Sequence, residues 1–136
     1  MIIPGDLFTI CVSSRFEAAH SIRNYRRDAL GTWGDEDIHG HSWLVEVYVS
    51  SSQVDTRTGF VVDFLTVNAR LKELCAFFDH KFINEIPPFD QVNPSTENIC
   101  KWFFESIETI IPPESRLAKV TVHEGPDNSA QFERSK

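Results

Sequence analysis

Three histidines carry the clearest chemical pattern in this sequence. His39 and His41 flank a single glycine in HGHSW, and His20 ends the earlier run FEAAH. On a β-strand, residues i and i+2 leave the same face with Cα atoms about 7 Å apart, so two imidazoles can converge on one ion. His20 joins them if its strand is the antiparallel neighbour. Three neutral nitrogen ligands and a free fourth position are typical of a catalytic zinc site, although the spacing alone also allows ordinary unliganded histidines.

Composition narrows the class of protein. The 136 residues suit one domain over 1–136. The net charge of −7, with no basic stripe, disfavours nucleic acid and anionic membranes as partners. No apolar run is long enough for a membrane span, and the N-terminus lacks the order of a secretory signal. Cys11, Cys75 and Cys100 are scattered without a C-x-x-C pair, so we expect buried, reduced thiols in a cytoplasmic protein.

The patterning around the histidines predicts two long strands. Residues 7–20 are rich in β-branched and aromatic types, and they read as the strand that ends at His20. Residues 39–51 alternate between apolar and polar positions and predict a second strand. Glycines and mixed charges indicate a loop over 21–38.

Two helices follow in the middle of the chain. The first should begin near Asp63, whose carboxylate can cap it. Its apolar positions recur at helical spacing and are Phe64, Val67, Leu71, Leu74 and Phe78. The second should open at Ser95 or Thr96 and stop at the Pro112–Pro113 pair.

The last segments read as two strands, over 117–124 and 129–133, around a turn at 125–128. The predicted order is therefore ββααββ. This order indicates an α+β domain, in which both helices cover one face of a four-stranded antiparallel sheet.

Six motifs occur in order along nearly the whole chain. They are FEAAH at 16–20, HGHSW at 39–43, GFVVDF at 59–64, FDHKFIN at 78–84, PSTEN at 94–98 and VTVHE at 120–124. The series resembles the 6-pyruvoyltetrahydropterin synthase family of tetrahydrobiopterin biosynthesis, including the bacterial 6-carboxytetrahydropterin synthases of queuosine biosynthesis. The resemblance implies the tunnelling fold, in which three subunits close their sheets into a barrel and two trimers stack into a homohexamer. It also implies active sites at subunit interfaces and a 7,8-dihydroneopterin triphosphate substrate.

The resemblance also implies roles for individual residues. His20, His39 and His41 match the family's zinc ligands, and Zn²⁺ chelating two substrate hydroxyls would acidify the adjacent C–H and O–H groups. Asp79 and His80 match a pair that transfers protons, in which the carboxylate orients the imidazole.

Two further motifs match the pterin-binding segments of the family. Glu124 matches the anchor, whose carboxylate accepts hydrogen bonds from the 2-amino group and N3–H of the ring. Ser95, Thr96 and Glu97 match a second pterin-contacting segment, and they can also cap a helix.

One position departs from the family pattern. Most members carry a catalytic cysteine four to six residues before HGH, whereas this loop contains none. Asp35 or Glu36 could act as the base instead, provided that desolvation raises its pKa. Family members that use a glutamate here resemble enzymes that cleave the dihydroneopterin side chain to give 6-hydroxymethyl-dihydropterin.

The leading hypothesis is a zinc-dependent lyase that converts 7,8-dihydroneopterin triphosphate to a 6-pyruvoyl- or 6-carboxy-tetrahydropterin product. The alternatives are side-chain cleavage with a carboxylate base and a non-catalytic pterin-binding paralogue. An unrelated three-histidine hydrolase is disfavoured, because it would have no need of the pterin-binding residues.

Overall fold

The computed structural model describes residues 4–135, so residues 1–3 and 136 of the predicted domain lie outside the described residues. The main strands, in chain order, are β1 (Phe8–His20), β4 (His39–Ser51), β5 (Lys81–Phe82), β6 (Arg116–Glu124) and β7 (Asn128–Phe132). A two-stranded ribbon of β2 (Arg26–Arg27) and β3 (Trp33–Gly34) lies between β1 and β4 in sequence. The helices are α1 (Phe64–Ala76), a short 3-10 helix (Ile83–Glu85) and α2 (Thr96–Glu108).

The sheet has five strands in the order β5-β1-β4-β6-β7. Its four longer strands are antiparallel, as the sequence predicts, and β5 adds a parallel edge through Ala18 opposite Lys81 and Ala19 opposite Phe82. The sequence pattern did not predict β5, because a two-residue strand is too short to show an alternation of apolar and polar residues. The ribbon of β2 and β3, which lies inside the predicted loop over 21–38, was not predicted for the same reason.

The two helices begin where their capping residues stand. The Asp63 carboxylate accepts a hydrogen bond from the Leu65 N–H at 2.9 Å, and the Ser95 hydroxyl accepts one from the Asn98 N–H at 3.1 Å. These side chains satisfy backbone donors that have no partner within the helix. Both starts agree with the prediction, and α2 ends at Glu108, shortly before Pro112.

The core lies between the helices and one face of the sheet. Phe16 and Trp43, which are paired in the β1–β4 ladder, stack with ring centroids 5.8 Å apart, and Phe103 of α2 stacks on Phe16 at 6.0 Å. No helix among the described residues covers the opposite face of the sheet, and alternate β1 side chains are exposed there. The α+β class with both helices on one face is therefore confirmed.

Two predicted core residues are exposed. Phe64 is 56% exposed because it is the first residue of α1 and lies at the rim of the core. Cys11 is exposed because it alternates with Val12 and faces the uncovered side of the sheet, whereas Cys75 and Cys100 are buried. Of the helices that the structure describes, none is long and apolar enough to cross a membrane.

Two leucines on α1 provide a test of this packing. Leu71 is fully buried, and we expect Leu71→Ala to lower the free energy of unfolding by about 2–5 kcal/mol, because it removes buried methyl groups and leaves a cavity. Leu65 on the same helix is 76% exposed, and Leu65→Ala should change it by only about 0.5 kcal/mol. Urea unfolding of both variants at equal protein concentration measures the difference. Equal losses would contradict the described packing of α1.

Candidate metal centre

The β1–β4 ladder brings the three histidines together at one end of the sheet. His20 is paired with His39, and His41 follows two residues later on the same face of β4. Trp43 continues that face, and its ring lies 5.0 Å from the His20 ring and 5.5 Å from the His41 ring, centroid to centroid. Glu124, the last residue of β6, is paired with Trp43. Strand geometry therefore aims all four polar side chains at the helix-covered side.

The polar atoms of this cluster are close enough to share an ion. The Nε2 atoms of His20 and His39 are 3.1 Å apart, and Glu124 Oε1 lies 3.0 Å from His20 Nε2 and 3.6 Å from His41 Nε2. One ligand atom from each residue lies within 4.8 Å of all the others. The sequence analysis predicted that the three histidines bind zinc and that Glu124 binds the pterin ring, and it did not predict that Glu124 lies in the histidine cluster.

Backbone carbonyls orient two of the rings. His20 Nδ1 lies 2.8 Å from the Pro94 carbonyl oxygen, and His39 Nδ1 lies 2.8 Å from that of Asp37. A carbonyl oxygen can only accept, so in the neutral form of each ring the proton lies on Nδ1 and Nε2 keeps its lone pair. The sequence analysis gave neither carbonyl a role, because a backbone group has no signature in residue type.

The resulting arrangement fits a divalent metal. Two Nε2 lone pairs facing each other at 3.1 Å repel unless a cation or proton lies between them. His41 Nε2 is buried and has no hydrogen-bond partner within residues 4–135. Burial lowers the pKa of His20, which favours the neutral imidazole that a metal requires. The donor set is therefore suited to metal binding.

The structure distinguishes the two candidate carboxylates of the loop. Glu36 Oε1 accepts a hydrogen bond from the Ile22 N–H at 3.3 Å and lies 3.8 Å from His39 Nδ1. Asp35 is exposed, and its Oδ1 accepts from the Asn24 N–H at 3.0 Å. Both residues line a groove of about 340 Å³ that reaches His39. Only Glu36, however, is in contact with the histidine cluster.

None of the described cysteines reaches this centre. Cys11 stands nine residues before His20 on a continuous strand, which places it about 30 Å away. Burial raises the pKa of Cys75 and of Cys100 to about 11, so both thiols stay protonated near neutral pH. Cys100 also donates a hydrogen bond to the Val120 carbonyl at 2.9 Å.

The Asp79–His80 pair lies at the edge of β1, next to β5. The Glu17 N–H donates to Asp79 Oδ1 at 2.9 Å, and the Glu17 carbonyl accepts from the His80 N–H. Asp79 Oδ2 lies 3.0 Å from His80 Nδ1, and the hydrogen bond from Glu17, followed by that to His80, lowers the pKa of Asp79. His80 is 78% exposed and lines a groove of about 570 Å³ with Glu17 and Ser42.

The second predicted pterin segment stands beside the metal centre. Ser95 caps α2, and Thr96 and Glu97 form its first turn, so the capping role is observed. Pro94, immediately before them, holds His20 through its carbonyl. The start of α2 is therefore adjacent to the histidine cluster.

The amino-acid sequence matches one family model and several curated relatives. The family model described as 6-pyruvoyl tetrahydropterin synthase matches residues 9–135. A dihydroneopterin monophosphate aldolase of Pyrococcus furiosus is 29% identical over 124 residues, which span 91% of this chain and 96% of the relative. A putative 6-carboxy-5,6,7,8-tetrahydropterin synthase of Archaeoglobus fulgidus is 31% identical over 126 residues, which span 92% of this chain and 95% of the relative.

Solved structures show the same fold. The Caenorhabditis elegans 6-pyruvoyl tetrahydropterin synthase aligns with a TM-score of 0.81 at 23% identity, covering 96% of this chain and 97% of that one. A Plasmodium vivax 6-pyruvoyltetrahydropterin synthase, in a variant that replaces a catalytic glutamate by alanine, aligns with a TM-score of 0.70 at 20% identity. That alignment covers 96% of this chain and 99% of the other. With a family model that matches almost its whole length, this chain belongs to the 6-pyruvoyl tetrahydropterin synthase family.

Proposed function

We propose that this chain is a zinc-dependent lyase that cleaves the side chain of 7,8-dihydroneopterin, or of its phosphate ester, between C1′ and C2′. The products are 6-hydroxymethyl-7,8-dihydropterin and a two-carbon aldehyde. The observation that carries this proposal is the carboxylate of Glu36, which lies 3.8 Å from His39 in the loop where the family pattern described above has a cysteine.

Three histidines would hold the zinc ion. His20, His39 and His41 offer neutral imidazole nitrogens, a donor type that suits zinc. Bound zinc would supply Lewis-acid polarisation of the side-chain hydroxyls.

The residues of this chain would then move the protons of a retro-aldol cleavage. Glu36 takes the proton of the 2′-hydroxyl as its oxygen becomes the aldehyde carbonyl, and the C1′–C2′ bond breaks. The electron pair of that bond passes to C1′ and is delocalised into the C6=N5 imine of the ring. Protonation of C1′ by an acid, for which His80 beside Asp79 is our candidate, completes the hydroxymethyl product.

The name of one relative supports the cleavage reaction, and that of another supports a glutamate in catalysis. The Pyrococcus furiosus relative is an aldolase of dihydroneopterin monophosphate, and the Plasmodium vivax enzyme has a catalytic glutamate. The tetrahydropterin synthase reaction is the second candidate. It is favoured by the retained Asp79–His80 pair and by the Archaeoglobus fulgidus relative, and in it Glu36 would replace the thiol. A non-catalytic pterin binder would produce neither product.

We further propose that the active site is completed by a neighbouring subunit in a trimer-based hexamer. The groove that contains His80 also contains Glu17 and Ser42, whose hydrogen-bonded side chains lie on the uncovered face of the sheet. His41 also lines this groove, whereas His20, His39 and Glu124 do not, so His80 of the same chain shares the groove with one member of the cluster only. β5 covers only two residues of the β1 edge, and the rest of that edge has no strand partner among residues 4–135, so it could pair with another subunit.

The metal proposal predicts about one zinc ion per chain. Replacing His39 and His41 together by alanine should abolish stoichiometric zinc binding, because one histidine and a carboxylate are too few ligands. His123→Ala is the matched control, since His123 pairs with Glu46 outside the cluster and should leave zinc binding unchanged. Elemental analysis after dialysis measures the content. Full zinc occupancy in the double variant would exclude the assignment.

If Glu36 is the general base, substitutions at Glu36 and at Asp35 should have different effects on the cleavage rate. Glu36→Gln should lower the cleavage rate by about 10²–10⁴-fold, the usual contribution of a general base, while Asp35→Asn should have a much smaller effect. Thiol-alkylating reagents should leave the activity intact. The two variants and the alkylated wild-type protein are each loaded with zinc and incubated with dihydroneopterin and its phosphates, and the products are identified by chromatography. A 6-pyruvoyl- or 6-carboxy-tetrahydropterin product would favour the second candidate. An active Glu36→Gln variant would remove Glu36 from both reactions.

The shared site can be tested with two inactive variants. His39→Ala removes a proposed metal ligand, and His80→Ala removes the proposed acid. The two variants are mixed in equal amounts and allowed to exchange subunits. About one interface in four then has an intact His39 on one subunit and an intact His80 on its neighbour, so about a quarter of wild-type activity should return. Mixtures that stay inactive despite verified exchange would contradict the shared site, and so would a monomer in sedimentation at micromolar concentration.

A further inference from the structure

Asn84 is a buried polar residue in the short 3-10 helix that follows β5. We infer that Asn84 is a positioning residue for Glu36, because its side-chain amide fastens the backbone segment to which the loop that carries Glu36 is attached. This inference rests on the cleavage reaction proposed above, in which Glu36 is the base. It gives a role to the last residue of the FDHKFIN motif, to which the proposed reaction assigns none.

The Asn84 amide forms two hydrogen bonds with the backbone of Ser21. Its Oδ1 accepts from the Ser21 N–H at 2.9 Å, and its Nδ2 donates to the Ser21 carbonyl at 2.7 Å. Only this orientation of the amide gives each donor an acceptor. Both residues are buried, so loss of the amide would leave the Ser21 backbone groups without water as a replacement. The contact therefore ties together two segments that are 63 positions apart in the chain.

Ser21 and Ile22 in turn hold Glu36. The Ser21 hydroxyl donates to the Glu36 carbonyl, and the Glu36 N–H donates to the Ile22 carbonyl at 2.8 Å. The Ile22 N–H donates to the Glu36 carboxylate at 3.3 Å. Both the backbone and the side chain of Glu36 are therefore attached to the segment that Asn84 fastens.

A second asparagine holds the same segment two residues further on. Asn93 Oδ1 accepts from the Arg23 N–H at 2.8 Å, and its Nδ2 donates to the Arg23 carbonyl at 3.1 Å. Ser21 and Arg23 thus direct their backbone groups to one edge, whereas Ile22 directs its groups to the other. This alternation is that of an extended strand. The two amides take the place of a neighbouring strand along this segment.

Loss of the Asn84 amide should release the loop and leave the histidine cluster in place. Ser21 comes directly after β1, whose ladder with β4 ends at the pairing of His20 with His39. The Pro94 carbonyl orients the His20 ring, and Asn84 takes no part in either contact. A general base, however, must lie within hydrogen-bond reach of the proton that it takes. A displacement of about 1 Å can lower a rate by about 10²-fold.

The rate of cleavage tests this role. Asn84→Ala should lower kcat by about 10–100-fold with little change in KM, because it displaces a group that acts in the transition state. In a Glu36→Gln background the same substitution should lower kcat by no more than about twofold, since the carboxylate through which Asn84 acts is already absent. Losses that multiply in the double variant would overturn the inference, and so would an unchanged kcat in Asn84→Ala.

Two controls separate positioning from a general loss of stability. Leu71→Ala removes buried contacts of α1 away from the loop and should leave kcat unchanged while the protein is folded. An equal loss of kcat in Leu71→Ala and Asn84→Ala would overturn the inference. The zinc content of Asn84→Ala should equal that of the wild type. A loss of zinc would place the effect of the substitution at His20 rather than at Glu36, and would also overturn the inference.

A smaller substitution keeps the test available if Asn84→Ala does not fold by circular dichroism. Ser21→Ala removes the hydroxyl that donates to the Glu36 carbonyl and keeps the backbone groups that Asn84 binds. We expect kcat to fall in this variant as well, again with little further loss in the Glu36→Gln background. An unchanged kcat would count against the inference.

Amide hydrogen exchange separates this inference from the proposed function, because it requires no turnover. The Ser21 and Glu36 N–H groups should exchange at least about fivefold faster in Asn84→Ala than in the wild type, the effect of one buried group left unpaired. Exchange over α1 should be unchanged. A wild-type protein that cleaves no dihydroneopterin contradicts the reaction, and faster exchange in the variant would still support the tie between Asn84 and the loop. Equal exchange in both proteins would overturn the inference even if the wild type is active.

Discussion

The candidate site depends on the register of the β1–β4 ladder. Pairing of His20 with His39 brings two imidazoles from distant parts of the chain to within 3.1 Å, and strand periodicity adds His41 on the same face. A slip of one residue would turn the side chains of one strand to the opposite face. The stacked pair of Phe16 and Trp43 lies in the same ladder, so the hydrophobic core holds the register that the metal centre requires.

The core and the site therefore share one face of the sheet. Trp43 lies at their boundary, with its ring against His20 and His41 and its N–H donated to the Ala18 carbonyl at 3.2 Å. The start of α2 closes the same region, because the Pro94 carbonyl orients the His20 ring. The imidazoles are thus oriented by packing and by backbone groups before any metal binds, which lowers the ordering cost of binding.

The proposed proton-transfer groups lie at the edge of the sheet, in a groove that they share with His41 alone among the cluster residues. Asp79 and His80 are attached to the β1 edge through the backbone of Glu17, and His80 adopts φ 59° there. Glu36, by contrast, reaches the histidine cluster through a loop tied to Ser21 and Ile22. This arrangement is the physical basis of the shared site proposed above, in which one chain would bring the metal and the base and its neighbour would bring the acid.

The sequence by itself determined the elements that have a strong periodic pattern. Both long strands, both helix starts at Asp63 and Ser95, and the common face of His39 and His41 follow from spacing and capping alone. Only the tertiary structure decided that Glu36 rather than Asp35 contacts the histidines, and that Glu124 joins them. Both outcomes depend on the path of a loop and on contacts between residues far apart in the chain, for which local sequence carries no periodic signal.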